Sequence, residues 1–139
     1  KMIDLIQKDG APLPGVLDAL KLLKEKKIPI ALASSSAMIL IKAVVESLDI
    51  KDYFNVIHSA EKEPAGKPDP AVFLTAARML EIEPKKCLVL EDSKAGMEAG
   101  LNANMKTIVI PEFGTSPNWV MKANKKLNSM KEFNIELLY

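Results

Sequence analysis

The chain has 139 residues, 48% hydrophobic and 27% charged, which is the balance of one globular domain. Nineteen basic against eighteen acidic residues leave a formal charge of +1, so nothing in the charge asks for nucleic acid or an anionic membrane as partner. One cysteine excludes an internal disulfide and a multi-cysteine metal site, and no apolar run reaches the ~18 residues of a membrane span.

The opening KMIDLIQKDG lacks the long apolar core of a secretory signal and starts at Lys1, so the chain is expected to be part of something longer or processed. Met2, Leu5 and Ile6 share one side of a helix end over 2–8. Asp9–Gly15 (DGAPLPG) is dense in turn residues and reads as a linker into a new unit. Val16, Leu17, Leu20 and Leu23 then recur at helical spacing, and a lysine-rich last turn, Lys24 to Lys27, suits the helix dipole. Ile28–Ala33 is a short continuous apolar run, the pattern of a strand buried on both faces. Met38, Ile41, Val44, Val45 and Leu48 predict a helix over 37–48, and Asn55–Ile57 a second strand. Pro70–Leu80 reads as a helix with proline in its first turn and Asp69 as N-cap. Cys87–Leu90 is a third strand, Ser93–Asn102 a helix and Thr107–Ile110 a fourth strand. The loop PEFGTSP follows, then a short helix over Trp119–Ala123 and a closing one over Met130–Leu138. Strands alternating with helices predict an α/β fold, a three-layer Rossmann-like parallel sheet with helices on both faces.

Three segments carry candidate chemistry. Ligands of open parallel sheets bind beyond the carboxyl ends of the strands. Ser34 comes off one such end, and its hydroxyl with the Ser35 and Ser36 backbone N–H groups could cradle a phosphate group. Helix-capping serines are the plainer reading of the same residues. Lys67 lies in a Gly-Lys-Pro-Asp-Pro loop, where Gly66 permits close backbone approach and two prolines stiffen the chain. A lysine so held can neutralise a phosphate oxygen or keep a carboxylate ionised, though proline turns also carry plain surface lysines. Glu91 and Asp92 end the third strand as adjacent carboxylates, a costly pair unless a cation or donors offset them. Hard oxygen ligands suit magnesium, which often takes one or two protein carboxylates plus waters and phosphate oxygens. Side chains alternate along a strand, so Asp92 is taken as the direct ligand and Glu91 as acting through water. A helix N-terminal acidic pair is the bland alternative. Gly96 would let the next helix pack closely. Cys87 is read as a packed, inert thiol and His58 as structural, while Trp119, Phe113 and the seven methionines are read as packing.

Taken in order, IALASSS, GKPDP and LEDSKAGMEAG resemble the second, third and fourth motifs of the haloacid dehalogenase superfamily. The wording is similar to its sugar-phosphatase and β-phosphoglucomutase branch, and the likeness runs from about Pro14 to the end. The resemblance implies that Ser34, helped by the Ser35 backbone, hydrogen-bonds the transferring phosphoryl group. It implies that Lys67 bridges that group and a nucleophilic aspartate, and that Asp92 ligates Mg2+ with Glu91 beside it. The family's nucleophile and its general acid/base belong to a D-x-D segment on the first strand, and this chain has none. Lys8-Asp9-Gly10 is rejected as a substitute because no strand precedes it.

On this resemblance, residues 1–10 are the end of a helical cap and a linker, and 11–139 an incomplete core lacking its first strand. That strand would lie between the strands ending at Ala33 and Leu90, leaving a central slot here. An N-terminal segment is needed to complete the sheet, and this chain alone is expected to be inactive. The implied activity of the intact, monomeric, cytoplasmic protein is Mg-dependent hydrolysis of a small phosphorylated metabolite such as a sugar phosphate. The route is an aspartyl-phosphate whose nucleophile lies outside this chain. A phosphosugar mutase is the alternative, but such mutases carry a basic residue where Ala37 stands. A non-catalytic fragment would be expected to lose Lys67 or Asp92, and a dinucleotide site lacks its glycine fingerprint. Lys67→Ala and Asp92→Asn are each expected to abolish activity while leaving the protein folded.

Overall fold

The structure, a computed structural model, describes residues 7–8, 11–12, 15–111 and 118–138. Its elements in chain order are β1 (Gln7–Lys8), β2 (Ala11–Pro12), α1 (Val16–Glu25), β3 (Ala31–Ser34), α2 (Met38–Ser47) and β4 (Val56–Ser59). Then come α3 (Ala71–Leu80), β5 (Leu88–Glu91), α4 (Lys94–Asn102), β6 (Lys106–Val109) and β7 (Lys125–Lys126). β1 pairs antiparallel with β2. Of the helix end expected over 2–8, residues 2–6 lie outside the described residues, while Gln7–Lys8 is strand rather than helix because it pairs with Ala11–Pro12, so a two-residue strand does precede Asp9. Asp9 and Gly10 lie outside the described residues.

The strand patterns build three layers. On β5, Leu88 and Leu90 face one way and Val89 the other; on β3, Leu32 opposes Ala31 and Ala33. Leu32, Leu88, Leu90 and Ile108 pack with Leu20 and Leu23 of α1 and Ile41 and Val45 of α2. Ala31, Ala33 and Val89 pack instead with Val72, Phe73 and Ala76 of α3 and Ala99 of α4. Fully burying a side chain the size of Phe73 is worth about 1.5–3 kcal/mol. The expected α/β architecture with helices on both faces is therefore present.

The strands form two parallel groups. β3 pairs with β4 in register Ala31↔Val56 to Ser34↔Ser59, and β5, β6 and β7 form a second sheet in that order. Among the described residues no ladder joins β3 to β5. Crossovers α2 and α4 follow β3 and β5, as parallel pairing demands.

Several boundaries differ from expectation for physical reasons. β3 starts at Ala31 rather than Ile28 because Ile28 N–H donates to the Leu23 carbonyl at the α1 exit, and Ile30 N–H donates to Asn55 Oδ1. Pro29 between them has no N–H for a ladder. In α3, Pro70 holds the cap position; Asp69 accepts the Ala71 N–H at 2.9 Å. The expected closing helix is instead two 3-10 turns, Met130–Glu132 and Ile135–Leu138. Ser129 and Glu132 form a capping box at the first turn, and Asn134 Oδ1 accepts Glu136 N–H at the second, so the run is broken between them. Trp119 lies in a 3-10 turn, Asn118–Lys122, and packs beside Met97, Val109 and Val120. Phe113 is outside the described residues. Gly15, at φ 88, sits where a Cβ would lie 2.5 Å from the Lys131 nitrogen, so this turn carries the last segment directly over α1.

Candidate active site

Ser34, Ser59 and Glu91 are the last residues of β3, β4 and β5, so the candidate groups share the carboxyl ends of the strands. A cavity of about 340 Å³ opens there. Ser34, Ser35, Ser36, Lys67 and Glu91 line its polar side, and Leu40, Ile41 and Val44 of α2 its apolar side. It lies between β3 and β5, where no ladder joins the sheets among the described residues.

Glu91 takes the inward position. Its side chain is 0% exposed, and Lys67 Nζ lies 2.5 Å from Oε2. Oε1 accepts from Asp92 N–H and from the Ser93 hydroxyl, each at 3.3 Å. Burying a carboxylate this fully is tolerable only with such partners. The Lys67 side chain is itself 7% exposed; its ammonium also donates to the Ala33 carbonyl at 3.3 Å and lies 4.8 Å from the Phe73 ring centroid. The lysine therefore spans from β3 to β5 on a desolvated aromatic face, where a cation–ring contact is worth up to ~2 kcal/mol. The ion pair alters one expectation: Lys67→Ala would strand a buried carboxylate and cost stability as well as activity.

Gly96 exists in relation to that carboxylate. A Cβ at this position would stand 2.0 Å from Glu91 Cδ and Oε1. The expected close helix–sheet approach is thus real, and what approaches is the glutamate's carboxyl group. Gly66 differs: a Cβ there meets no protein atom within 4 Å, so protein packing does not require glycine at this position.

The serine loop is organised from within and from across. Ser34 Oγ accepts Ser36 N–H at 3.1 Å, so that N–H serves the loop itself rather than standing ready for an anion. The Ser34 hydroxyl proton remains available to donate. Ser35 and Ser36 are exposed, and Ser34 is half-buried. Ala37 caps α2 without a side-chain hydrogen bond; Glu61 Oε1 instead reaches Met38 N–H at 3.0 Å. Asp92 is half-buried, next to Glu91 along the chain, and is outside the cavity lining. Ser34, Ser35, Lys67 and Glu91 are thus brought together, with Asp92 at their edge. Among the described residues no group of three or more His, Cys, Asp or Glu converges to hold a metal. Of the adjacent pair, only half-buried Asp92 would be placed to meet a magnesium ion directly, since both Glu91 oxygens already have partners.

Sequence reasoning missed Ser59, Glu61 and the capping role of Ser93, whose hydroxyl accepts Gly96 N–H at 3.0 Å. Ser93 was findable as a serine before a helix; the other two act across 23 residues of sequence and leave no local signal. His58 is buried, and its Nε2 lies 2.6 Å from Glu63 Oε2. The Glu63 carboxyl is held below its ordinary value of 4.5, first by a Thr75 hydrogen bond, then by that of His58. Cys87 is buried, with its thiol donating to the Glu83 carbonyl. No described helix is long and apolar enough to cross a membrane.

A parallel α/β domain with hydroxyls, a lysine and carboxylates at neighbouring strand ends defines a recognisable class of hydrolase core. Residues 3–104 match the haloacid dehalogenase-like hydrolase family, and the chain belongs to it. Hexitol phosphatase B of Escherichia coli O157:H7 is 40% identical over 134 residues, covering 95% of this chain and 60% of that protein. β-Phosphoglucomutase of Bacillus subtilis is 42% identical over 93 residues, 67% of this chain and 40% of its own. The crystal structure of β-phosphoglucomutase from Clostridium difficile superposes with a TM-score of 0.80 at 31% identity, over 91% of this chain and 54% of that one. The chain is of the phosphatase and β-phosphoglucomutase-like branch, and it spans 60% of the length of the hexitol phosphatase.

Proposed function

We propose that the whole protein is a Mg2+-dependent phosphatase of small phosphate monoesters, with sugar phosphates as the substrate class. The observation that carries this reading is the Lys67 ammonium, desolvated and spanning from Ala33 O to Glu91 Oε2 beside the Ser34 hydroxyl. With the expected first strand seated between β3 and β5, a phosphoryl group at the strand ends would meet the Lys67 cation on one side and the Ser34 hydroxyl on the other. Both are preorganised, and electrostatic preorganisation of this kind dominates phosphoryl transfer. Asp92 would hold the magnesium directly, with Glu91 acting behind it or through water because both its oxygens are engaged, and the ion's charge would offset that of the phosphoryl oxygens. The nucleophile, an aspartate forming an aspartyl-phosphate, would come from outside this chain, which by itself would be inactive. The names of relatives, a hexitol phosphatase and a phosphorylated carbohydrates phosphatase, support hydrolysis in this substrate class. The mutase alternative draws on the β-phosphoglucomutase relatives; against it, Ala37 offers no cation for a second phosphate.

Asp92→Asn in the intact protein tests the reading. Asp92 is half-buried at the edge of the cavity, so a loss of turnover without unfolding is expected, on the order of a hundredfold or more on a phosphosugar panel with Mg2+. Unchanged turnover by a folded Asp92→Asn protein would sink the assignment.

A further inference from the structure

We infer that Ser59 is a positioning residue for the Ser34–Ser36 loop, an inference that rests on the phosphoryl-transfer reading above. Ser59 ends β4 directly opposite Ser34 in the ladder and is fully buried. Its hydroxyl donates to the Ser36 carbonyl at 2.6 Å and accepts Glu61 N–H at 3.1 Å. The Ser36 residue is therefore gripped at both ends: its N–H by Ser34 Oγ, its carbonyl by Ser59 Oγ. Glu61, whose backbone Ser59 fixes, holds the next point of the loop through Met38 N–H.

The chemical consequence falls on Ser34. Because Ser34 Oγ accepts from Ser36 N–H, the direction left for its own proton depends on where that peptide sits. With the Ser36 carbonyl tied to Ser59, the Ser34 hydroxyl is oriented to donate into the cavity that Lys67 shares. Without the tie, the Ser36 carbonyl loses that hold in a loop whose Ser35 and Ser36 are already exposed, leaving only the Ser34 and Glu61 contacts on either side. Ser59 touches no substrate in this account; it acts through Ser36 and Ser34, as supporting hydrogen bonds commonly fix a binding group. Small misplacements of such groups cost activity out of proportion to the bonds lost.

The test uses the intact protein, para-nitrophenyl phosphate as substrate and inorganic phosphate as competitive ligand. Ser59→Ala is expected to raise KM and the phosphate inhibition constant about tenfold, with kcat changed less. Ser59→Thr, which keeps the hydroxyl, is expected to restore both values to within about threefold. Wild-type KM and inhibition constant in a folded Ser59→Ala protein would overturn the inference. Should Ser59→Ala fail to fold, Ser59→Cys keeps the volume with a weak donor and is expected to show the same loss; unchanged constants there overturn the inference equally. Absence of turnover and of phosphate binding in the unsubstituted protein would overturn the phosphoryl-transfer reading itself, and this inference with it.

Discussion

The β3–β4 pair and the β5–β6–β7 sheet furnish the two walls of one cavity by opposite means. On the first, hydroxyls and peptide groups are tied across loops by Ser59 and Glu61, and the outermost residues, Ser35 and Ser36, stay exposed. On the second, a single carboxylate is sealed from solvent between Lys67, Ser93 and the backbone of α4. Hydrogen bonds of the first kind are worth about 0.5–1.5 kcal/mol each, and about 1.5–3 where the Glu61 carboxylate accepts, so that wall can be adjusted piecemeal. Buried ionic contacts of the second kind fail at once when one partner goes. Lys67 belongs to both walls, which is why its loss should register in stability as well as in turnover.

The comparison breaks most visibly at that lysine. Lys67→Met leaves Glu91 buried beside an apolar side chain and should destabilise the fold by about 3–5 kcal/mol. Equilibrium urea unfolding measures this, and Lys67→Met combined with Glu91→Leu should recover most of the loss. A double variant no more stable than the single one would show that the pair is not the cause. A smaller effect is expected from Ser93→Ala, which removes the α4 cap and one partner of Glu91 for about 1 kcal/mol. A thermal midpoint unchanged from the parent protein would contradict it.

The smallest effect belongs to the other wall. Glu63 has a lowered folded pKa, so its contribution to stability is fully present above its ordinary value of 4.5 and is lost as pH falls through the folded value. Glu63→Gln should cost below about 1 kcal/mol at neutral pH, since the amide still accepts hydrogen bonds. Its stability should also fall less steeply than the parent's in the acid range. Parallel acid limbs for parent and variant would remove Glu63 from the account.

The alternation of apolar runs and helical spacing made the layers legible before any coordinates, and the strand-end position of Ser34 and Glu91 followed from it. Boundaries were less legible where a residue serves two elements, as Ile28 does at the α1 exit. β7 escaped because Lys125–Lys126 has no apolar pattern; lysine is the residue expected where a short strand must resist further pairing. Of the site, the residues that speak through local motif were readable: Ser34, Lys67, Glu91 and Asp92. The choice of Glu91 as the buried member was not, because it depends on which side of β5 meets α4. Ser59 and Glu61 were invisible for a related reason: their partners lie 23 residues away, and only pairing of β3 with β4 brings them together.

Gly96 and Glu91 are five positions apart, yet they constitute a single hereditary choice. The space a methyl group would need at 96 is already filled by the carboxyl group of 91. Alanine can replace glycine there only if the glutamate side chain shifts from Lys67 or is shortened. Shortening the glutamate withdraws the charge that Lys67 was placed to meet. One contact between a helix and a strand end thus couples what can stand at 96 to what stands at 91.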